Sequence, residues 1–246
     1  MESPSNDITH DRPTYRIMGD RALLVELGEE IHPAINRRVR KLQMILEAHP
    51  IVGILEMVPT YRSLLIVYDP LTRTFSEIRQ KIHERLPLMN RMRIPAARTL
   101  SLPVCYGGAY GPDLSWVARH HGLTEEEVIR FHTGTVYRVY MLGFTPGYAY
   151  MGELPPEIVT PRRKTPRTHV PKGSVGIARK QTGIYPVVSP GGWQIIGRTP
   201  LELFDPDTWP PALLGMGDRV HFFEIKKEDM IHWPPSKPLK SSIPAL

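Results

Sequence analysis

The chain has a single cysteine, Cys105, among its 246 residues. One thiol excludes an intramolecular disulfide and any metal site built from several cysteines. No apolar run approaches the roughly 18 residues that a membrane-crossing helix needs. The polar start, MESPSNDITHDRP, lacks the apolar stretch of a secretory signal. A cytoplasmic protein in a reducing compartment, with no membrane partner, is therefore expected. The phosphate-loop pattern G-x-x-x-x-G-K-[ST] is also missing. YGGAYGPD (106–113) and PKGSVG (171–176) are rich in glycine but do not follow it, so the chain has no recognisable nucleotide site of its own. The histidines, His120, His121 and His132 among them, never fall into H-x-x-x-H or H-E-x-x-H, so no metal is expected.

Proline, by contrast, is abundant. Its 26 residues are about twice the usual share, and most lie after residue 140. The hydrophobic fraction of 41% and charged fraction of 23% are those of an ordinary globular protein. The net charge of +6 suits an acidic partner without identifying one.

Residues 14–18 and 21–27 read as strands joined by a Gly-Asp turn. Over 33–48, Ile35, Val39, Leu42, Ile45 and Leu46 recur at helical spacing, with Arg37, Arg38, Arg40 and Lys41 mostly opposite. Strands are expected at 51–58 and 63–69, a second amphipathic helix at 74–86, and a strand at 99–106 around Cys105. The order contains the split β-α-β arrangement of a ferredoxin-like α+β domain, placed at 13–95, with 1–12 as a disordered tail. Beyond a basic linker, two short helices fill 113–133, with Thr124 and Glu127 as a capping box. From 135 onward, short apolar runs are split by Gly and Pro every 8–12 residues: VYRVYMLGF, SVGIA, IYPVV, WQIIGRT and DRVHFFEI. That spacing predicts a closed β-barrel domain over 98–230, with 235–246 as a flexible tail.

The helix pair at 113–133 superficially resembles a DNA-reading helix-turn-helix. Its second helix opens with Glu125, Glu126 and Glu127, which would repel phosphates. No nucleic-acid partner is expected. His132 reads either as an acid or base or as a satisfied, half-buried histidine. PRRKTPRTHVPKG (161–173) has proline at 161, 166 and 171, which holds it extended, with Arg162, Arg163, Lys164, Arg167 and Lys172 along it. Two readings remain open: a grip on a carboxylate or phosphate, and a solvated strand protecting a sheet edge. In QTGIYPVVSPGGWQIIGRTP (181–200), Gln181, Ser189 and Arg198 cluster with glycine turns whose amides can converge on an anion. GFTPGYAYMGELP (143–155) carries three rings and one charge, Glu153. Either it forms a wall over a site or against a partner, or its rings close the barrel.

YGGAYGPDL, LGFTPGYAYMGELP, TPRTHVPKGSVGIARKQTGIYPVVSPGGWQIIGRTPLELFD and MGDRVHF, in that order, resemble the motifs of the 5-oxoprolinase B-subunit family, also called the KipI or allophanate-hydrolase-subunit-1 family. Tyr148, Ala149 and Met151 depart from the family's usual loop, G-F-x-P-G-F-P-Y-L-G. The resemblance implies a cyclophilin-like barrel without prolyl isomerase activity. It implies an ATP-hydrolysing enzyme that opens 5-oxoproline to glutamate, in which this chain is one component and inactive when alone. The implied partners are a carboxyltransferase-like subunit of the KipA type and a LamB/YcsF-type subunit. ATP would be bound mainly by another subunit, with no cofactor in this chain by itself. On this reading Arg162, Arg167, Lys172, Gln181, Ser189 and Arg198 bind anionic groups, and His132 or Tyr185 shuttles a proton. Phe144, Pro146, Gly147, Tyr148, Tyr150 and Trp193 form the wall or the partner contact. Two other roles follow from the same resemblance: inhibition of a sensor histidine kinase, and a carboxyltransferase-related part in urea or allophanate metabolism.

Overall fold

A computed structural model describes residues 9–234 and 239–240. The chain divides into two compact units, Met1–Ala96 and Ala97–Leu246.

The N-terminal unit runs β1 (Thr9–Ile17), β2 (Ala22–Gly28), α1 (Pro33–Ala48), β3 (Ile54–Pro59), β4 (Ser63–Tyr68) and α2 (Phe75–Arg85), followed by a 3-10 turn at Leu86–Asn90. Its sheet is antiparallel in the order β1-β2-β4-β3. Strands β2 and β3 flank β4, so α1 connects two parallel strands with one strand between them. The periodic residues of α1 explain its seat: Ile35, Val39, Leu42, Ile45 and Leu46 are all buried. Thr74 caps α2 reciprocally with Glu77. Strand β1 begins at Thr9, so residues 9–12, expected to be disordered, are extended and partly paired with β2.

The second unit begins with β5 (Thr99–Tyr106) and a helical hairpin, α3 (Leu114–His121) and α4 (Glu125–Thr133). There follow β6 (Val136–Leu142), β7 (Ala149–Gly152), β8 (Arg167–Val170), β9 (Ser174–Ala178), β10 (Gln181–Ile184), β11 (Ser189–Gly191), β12 (Gln194–Arg198), β13 (Arg219–Glu224) and β14 (Leu239–Lys240). The sheet order β12-β9-β10-β7-β6-β13-β5 closes through pairing of β12 with β5, which makes a seven-stranded barrel. Closure removes the exposed edges that a strand-rich chain must otherwise protect. It needs Gly197, where a Cβ would stand 2.6 Å from Val104 Cγ1 and 2.9 Å from the Cys105 carbonyl. The interior is filled from alternate positions of the strands by Leu102, Val104, Tyr137, Val139, Met151, Ile177, Ile196 and Phe222. The hairpin adds Leu114, Val117, Ala118 and Val128 to the same core.

Three local features differ from the sequence-based expectation. IYPVV is not one strand: β10 ends at Ile184, and the chain turns at Pro186 before β11. Among the described residues, β8 and β11 pair only with each other, as a small two-stranded sheet separate from the barrel sheet. In the segment expected as a flexible tail, Leu239–Lys240 pairs with β5, and the remainder lies outside the described residues.

Candidate functional site

Successive residues of a strand point to opposite faces, so the barrel has an outer face with its own composition. Ala149 and Met151 belong to the main core, while Tyr148 and half-buried Tyr150 belong to a second cluster with Val170, Tyr185 and Ile195. The register explains why large rings gather there. Across the sheet Ile195 pairs with Gly176, Gly176 with Gly183, and Gly183 with Tyr150. Two adjacent glycines leave a shallow trough. A Cβ on Gly183 would stand 2.8 Å from the Tyr148 hydroxyl, and one on Gly176 would stand 3.2 Å from Trp193 Cβ.

Five aromatic rings form a connected layer. Tyr148 makes edge-to-face contacts with Tyr185 at 5.2 Å and Trp193 at 5.9 Å, and Tyr150 lies 4.8 Å from Tyr148 and 6.0 Å from Trp193. Phe144 contacts Tyr148 at 5.5 Å and Tyr185 at 6.5 Å. Tyr148, Tyr185 and Trp193 are buried, and Phe144 is 59% exposed. Arg162 is exposed beside this layer: burial raises the phenol pKa of Tyr150 and of Tyr185, and the Arg162 charge opposes both shifts.

The segment carrying Arg162 is fixed by a buried carboxylate that no local sequence pattern marks. Asp113, 4% exposed, accepts from Arg163 Nη1 at 2.9 Å, from Arg167 Nη1 and Nη2 at 2.8 Å each, and from the Ile195 backbone at 2.7 Å. The Arg167 pair is bidentate. Gln194 donates to the Pro161 carbonyl at 3.1 Å, and Arg163 N donates to the Gly192 carbonyl at 2.8 Å. These bonds pin 161–167 against β12.

The expected anion-binding residues thus separate. Arg167 is clamped on Asp113. Lys172 pairs with Glu202. Arg198 stacks its guanidinium 5.4 Å over Tyr110, and it pairs in register with Ser174, away from Trp193 and Gln194. Ser189 is buried, and its hydroxyl has no hydrogen-bond partner among the described residues. Gln181 is half-buried at the start of β10, in register with Gly152 and Ala178. Of these residues, Arg162 is exposed beside the aromatic layer, while buried Ser189 pairs in register with Val170 of the same cluster. Pro146 is exposed and Gly147 is buried at φ +78, where a Cβ would meet Phe204 Cβ at 2.7 Å, so the turn is tightly seated.

The two expected proton carriers sit beneath the surface. Tyr185 is 2% exposed, and burial raises its phenol pKa, which keeps it protonated at neutral pH. His132 is fully buried inside the barrel, with Nδ1 2.7 Å from the Tyr106 hydroxyl and Nε2 2.9 Å from Thr182 Oγ1. The Thr182 hydroxyl donates to the Gly176 carbonyl at 3.2 Å. The chain of bonds therefore runs one way: Tyr106 donates to Nδ1, and Nε2–H donates to Thr182. Neither nitrogen is open to substrate, so His132 is a satisfied core histidine and not a rim acid or base. Cys105 is buried as well, and burial raises its thiol pKa. Among the described residues no group of three or more His, Cys, Asp or Glu is placed to hold a metal ion.

Burial also pushes the His132 pKa down to about 3, from an ordinary value of 6.5. Between those limits the unfolded chain binds the extra proton, so stability is lost as pH falls from 6.5 towards 3. The loss is at most about 1.4 kcal/mol per pH unit. In urea titrations at stepped pH, wild type should lose stability more steeply over this window than His132→Gln. Parallel slopes would contradict the assignment.

Phe144 has φ +69, a left-handed conformation that non-glycine residues rarely adopt. Such strain persists where surrounding structure or function requires it. Phe144→Gly should leave the melting temperature unlowered while reducing whatever activity the exposed ring serves. A lower melting temperature would make the ring a packing element.

The family model for the carboxyltransferase domain, subdomain C and D, matches residues 13–214. The 5-oxoprolinase B-subunit of Bacillus subtilis strain 168 is 41% identical over 222 residues, covering 86% of this chain and 92% of that protein. Its namesake in Escherichia coli O157:H7 is 40% identical over 214 residues, covering 86% of this chain and 95% of its own. More distant similarity, 26% over 250 residues, covers 88% of this chain and reaches 13% of the urea amidolyase of Saccharomyces cerevisiae. The crystal structure of TTHA0988 superposes with a TM-score of 0.76 at 36% identity, covering 89% of this chain; the chain spans 41% of that protein. With the family model matched over most of its length and near-complete relatives at about two residues in five, the chain belongs to the 5-oxoprolinase B-subunit family, built on carboxyltransferase subdomains C and D.

Proposed function

We propose that this chain is the B component of an ATP-dependent 5-oxoprolinase, a cytoplasmic enzyme that converts 5-oxo-L-proline to L-glutamate. Its partners in this reading are a carboxyltransferase-like subunit and a LamB/YcsF-type subunit, and ATP is held mainly by another subunit. The same reading takes the N-terminal unit as ferredoxin-like and the barrel as cyclophilin-like.

The observation that carries it is the aromatic layer on the barrel's outer face, with Phe144 and Arg162 exposed and His132, Tyr185 and Cys105 sealed away. Such a surface binds, orients and excludes water. The reacting groups then come from another chain. A lactam is a resonance-stabilised amide that water attacks slowly. Its oxygen takes the γ-phosphoryl group of ATP and ADP leaves. Water adds to the activated carbon, the ring C–N bond breaks with the nitrogen taking a proton, and a second water releases phosphate. In this sequence Arg162 offsets the charge of the substrate carboxylate or of the transferred phosphoryl group. The rings shield the reaction from bulk water, where charges are screened.

The test is co-expression of the three subunits and an assay of ATP-dependent glutamate formation from 5-oxoproline. Activity should need all three chains. A well-formed complex that makes no glutamate, or turnover by this chain alone, would overturn the proposal.

A further inference from the structure

Trp209 is 93% exposed, in a loop that the proposed reaction does not use. The loop is nonetheless held in shape. At its base Leu213 N donates to the Leu203 carbonyl at 2.9 Å, Asp205 N donates to the Pro211 carbonyl at 2.8 Å, and Phe204 bridges to Ala212. Within it, Asp205 Oδ1 accepts from Asp207 N at 3.0 Å, and the Asp205 carbonyl accepts from the Thr208 hydroxyl at 3.1 Å. Pro206, Pro210 and Pro211 restrict the backbone further. The base also rests on the turn that carries Phe144. A Cβ on Gly147 would stand 2.7 Å from Phe204 Cβ and 3.2 Å from the Leu203 carbonyl oxygen. Two exposed rings, Trp209 and Phe144, thus stand on turns that touch at their bases.

A tryptophan side chain buries about 150–250 Å2 when it is covered. On a pinned loop it loses little conformational freedom in the process, which favours a strong contact. The surrounding charge narrows what covers it. From 199 to 216 the charged residues are Glu202, Asp205 and Asp207, with no Lys or Arg, in a chain of net charge +6. Glu202 pairs with Lys172 and Asp205 is engaged in the turn, which leaves Asp207 exposed two residues from the ring. A carboxylate there disfavours anionic lipid headgroups and favours a protein pocket with a cationic rim. Resting on the three-subunit reading above, we propose that the 204–212 loop docks the carboxyltransferase-like subunit. Trp209 is the anchor, Phe144 on the adjoining turn extends the contact, and the partner receives the ring in an apolar pocket rimmed by Lys or Arg. That subunit is chosen over the LamB/YcsF-type one because this chain is itself built on carboxyltransferase subdomains C and D.

Labelling the chain with 5-fluorotryptophan tests this. Its four tryptophans give four fluorine NMR resonances, and Trp209→Phe assigns one of them to Trp209. On titration with the purified carboxyltransferase-like subunit, that resonance should shift or broaden more than the other three. By isothermal titration, Trp209→Ala should weaken association about thirtyfold or more, and Trp209→Phe should recover part of the loss. Asp207→Lys should weaken it about tenfold, less so as salt rises. Both side chains are exposed, so melting temperatures should not change. Wild-type affinity in Trp209→Ala or in Asp207→Lys would overturn the proposal while leaving the three-subunit reading intact. Docking that depends on Trp209, in a wild-type complex that makes no glutamate, would support the proposal and overturn that reading. No association between the wild-type chains would overturn both. A dimer of this chain that Trp209→Ala converts to monomer would overturn the proposal by placing the ring between copies.

Discussion

Asp113→Ala is expected to lower the melting temperature by roughly 6–12 °C. Asp113 accepts four hydrogen bonds while almost completely buried. Removing it leaves two guanidinium groups and the Ile195 N–H without their acceptor. Breaking a buried ion pair from one side costs about 3–5 kcal/mol. The lower end applies here, because the Arg163 and Arg167 side chains remain 33% and 24% exposed. About 3 kcal/mol corresponds to that shift in a chain of this size. Asp113→Asn, which keeps one acceptor for Ile195 and loses the charge, should fall between. In a double-mutant cycle with Arg167→Ala, the two losses should be strongly non-additive. A shift below about 2 °C by circular dichroism would show that 161–167 is held by other bonds.

Gly111→Ala should be as damaging, for a reason without any charge in it. A Cβ there would stand 2.0 Å from the Ile196 carbonyl oxygen, 2.4 Å from its carbon and 2.6 Å from Gly107 N. All three are backbone atoms, so no side chain can swing aside. The loop is tied to β12 by Gly107 N to the Ile196 carbonyl at 3.1 Å and Asp113 N to the Ile195 carbonyl at 2.9 Å. Making room means pulling Asp113 away from its clamp. A cost of about 3 kcal/mol or more follows, at the upper end for overpacking, seen as a lower melting temperature or as loss of soluble protein. Gly108→Ala is the control. It has φ +52 and open space around it, so it should cost only about 1 kcal/mol. Equal effects from the two substitutions would contradict the tight seating of Gly111.

Both predictions concern YGGAYGPD, whose glycines fit no phosphate loop and whose aspartate carries no local signal of its role. What the sequence reveals and what it hides have physical causes. Helix α1 is legible because its buried residues recur at local spacing, and the capping box at Thr124 and Glu127 because its partners are three residues apart. The barrel is legible through glycine and proline punctuation. The Asp113 clamp is not, because its arginine partners lie 50 and 54 residues away and nothing local marks the pairing. Arg167 therefore reads as an anion ligand when its charge is already neutralised. The glycine row behind the aromatic layer depends on the register among β12, β9, β10 and β7, which no single segment encodes. The loop at 143–155 reads from sequence as a wall, with rings that close the barrel as the alternative. The structure divides those roles, with Ala149 and Met151 in the interior and Tyr148, Tyr150 and Phe144 on the outer layer. His132 passes for a proton carrier because composition does not reveal that both its nitrogens have partners inside the barrel.

The most direct measurement is 5-oxoproline turnover by the co-expressed three-subunit enzyme in which this chain carries Arg162→Ala. Arg162 is exposed, so its removal should leave melting temperature and complex assembly unchanged. The expected result is a fall in kcat/KM of about tenfold or more, the loss of one charge-assisted contact in a water-poor site. Turnover equal to wild type in an intact complex would contradict a catalytic role for this face, and the aromatic layer would then be no more than the packing of the barrel's outer surface.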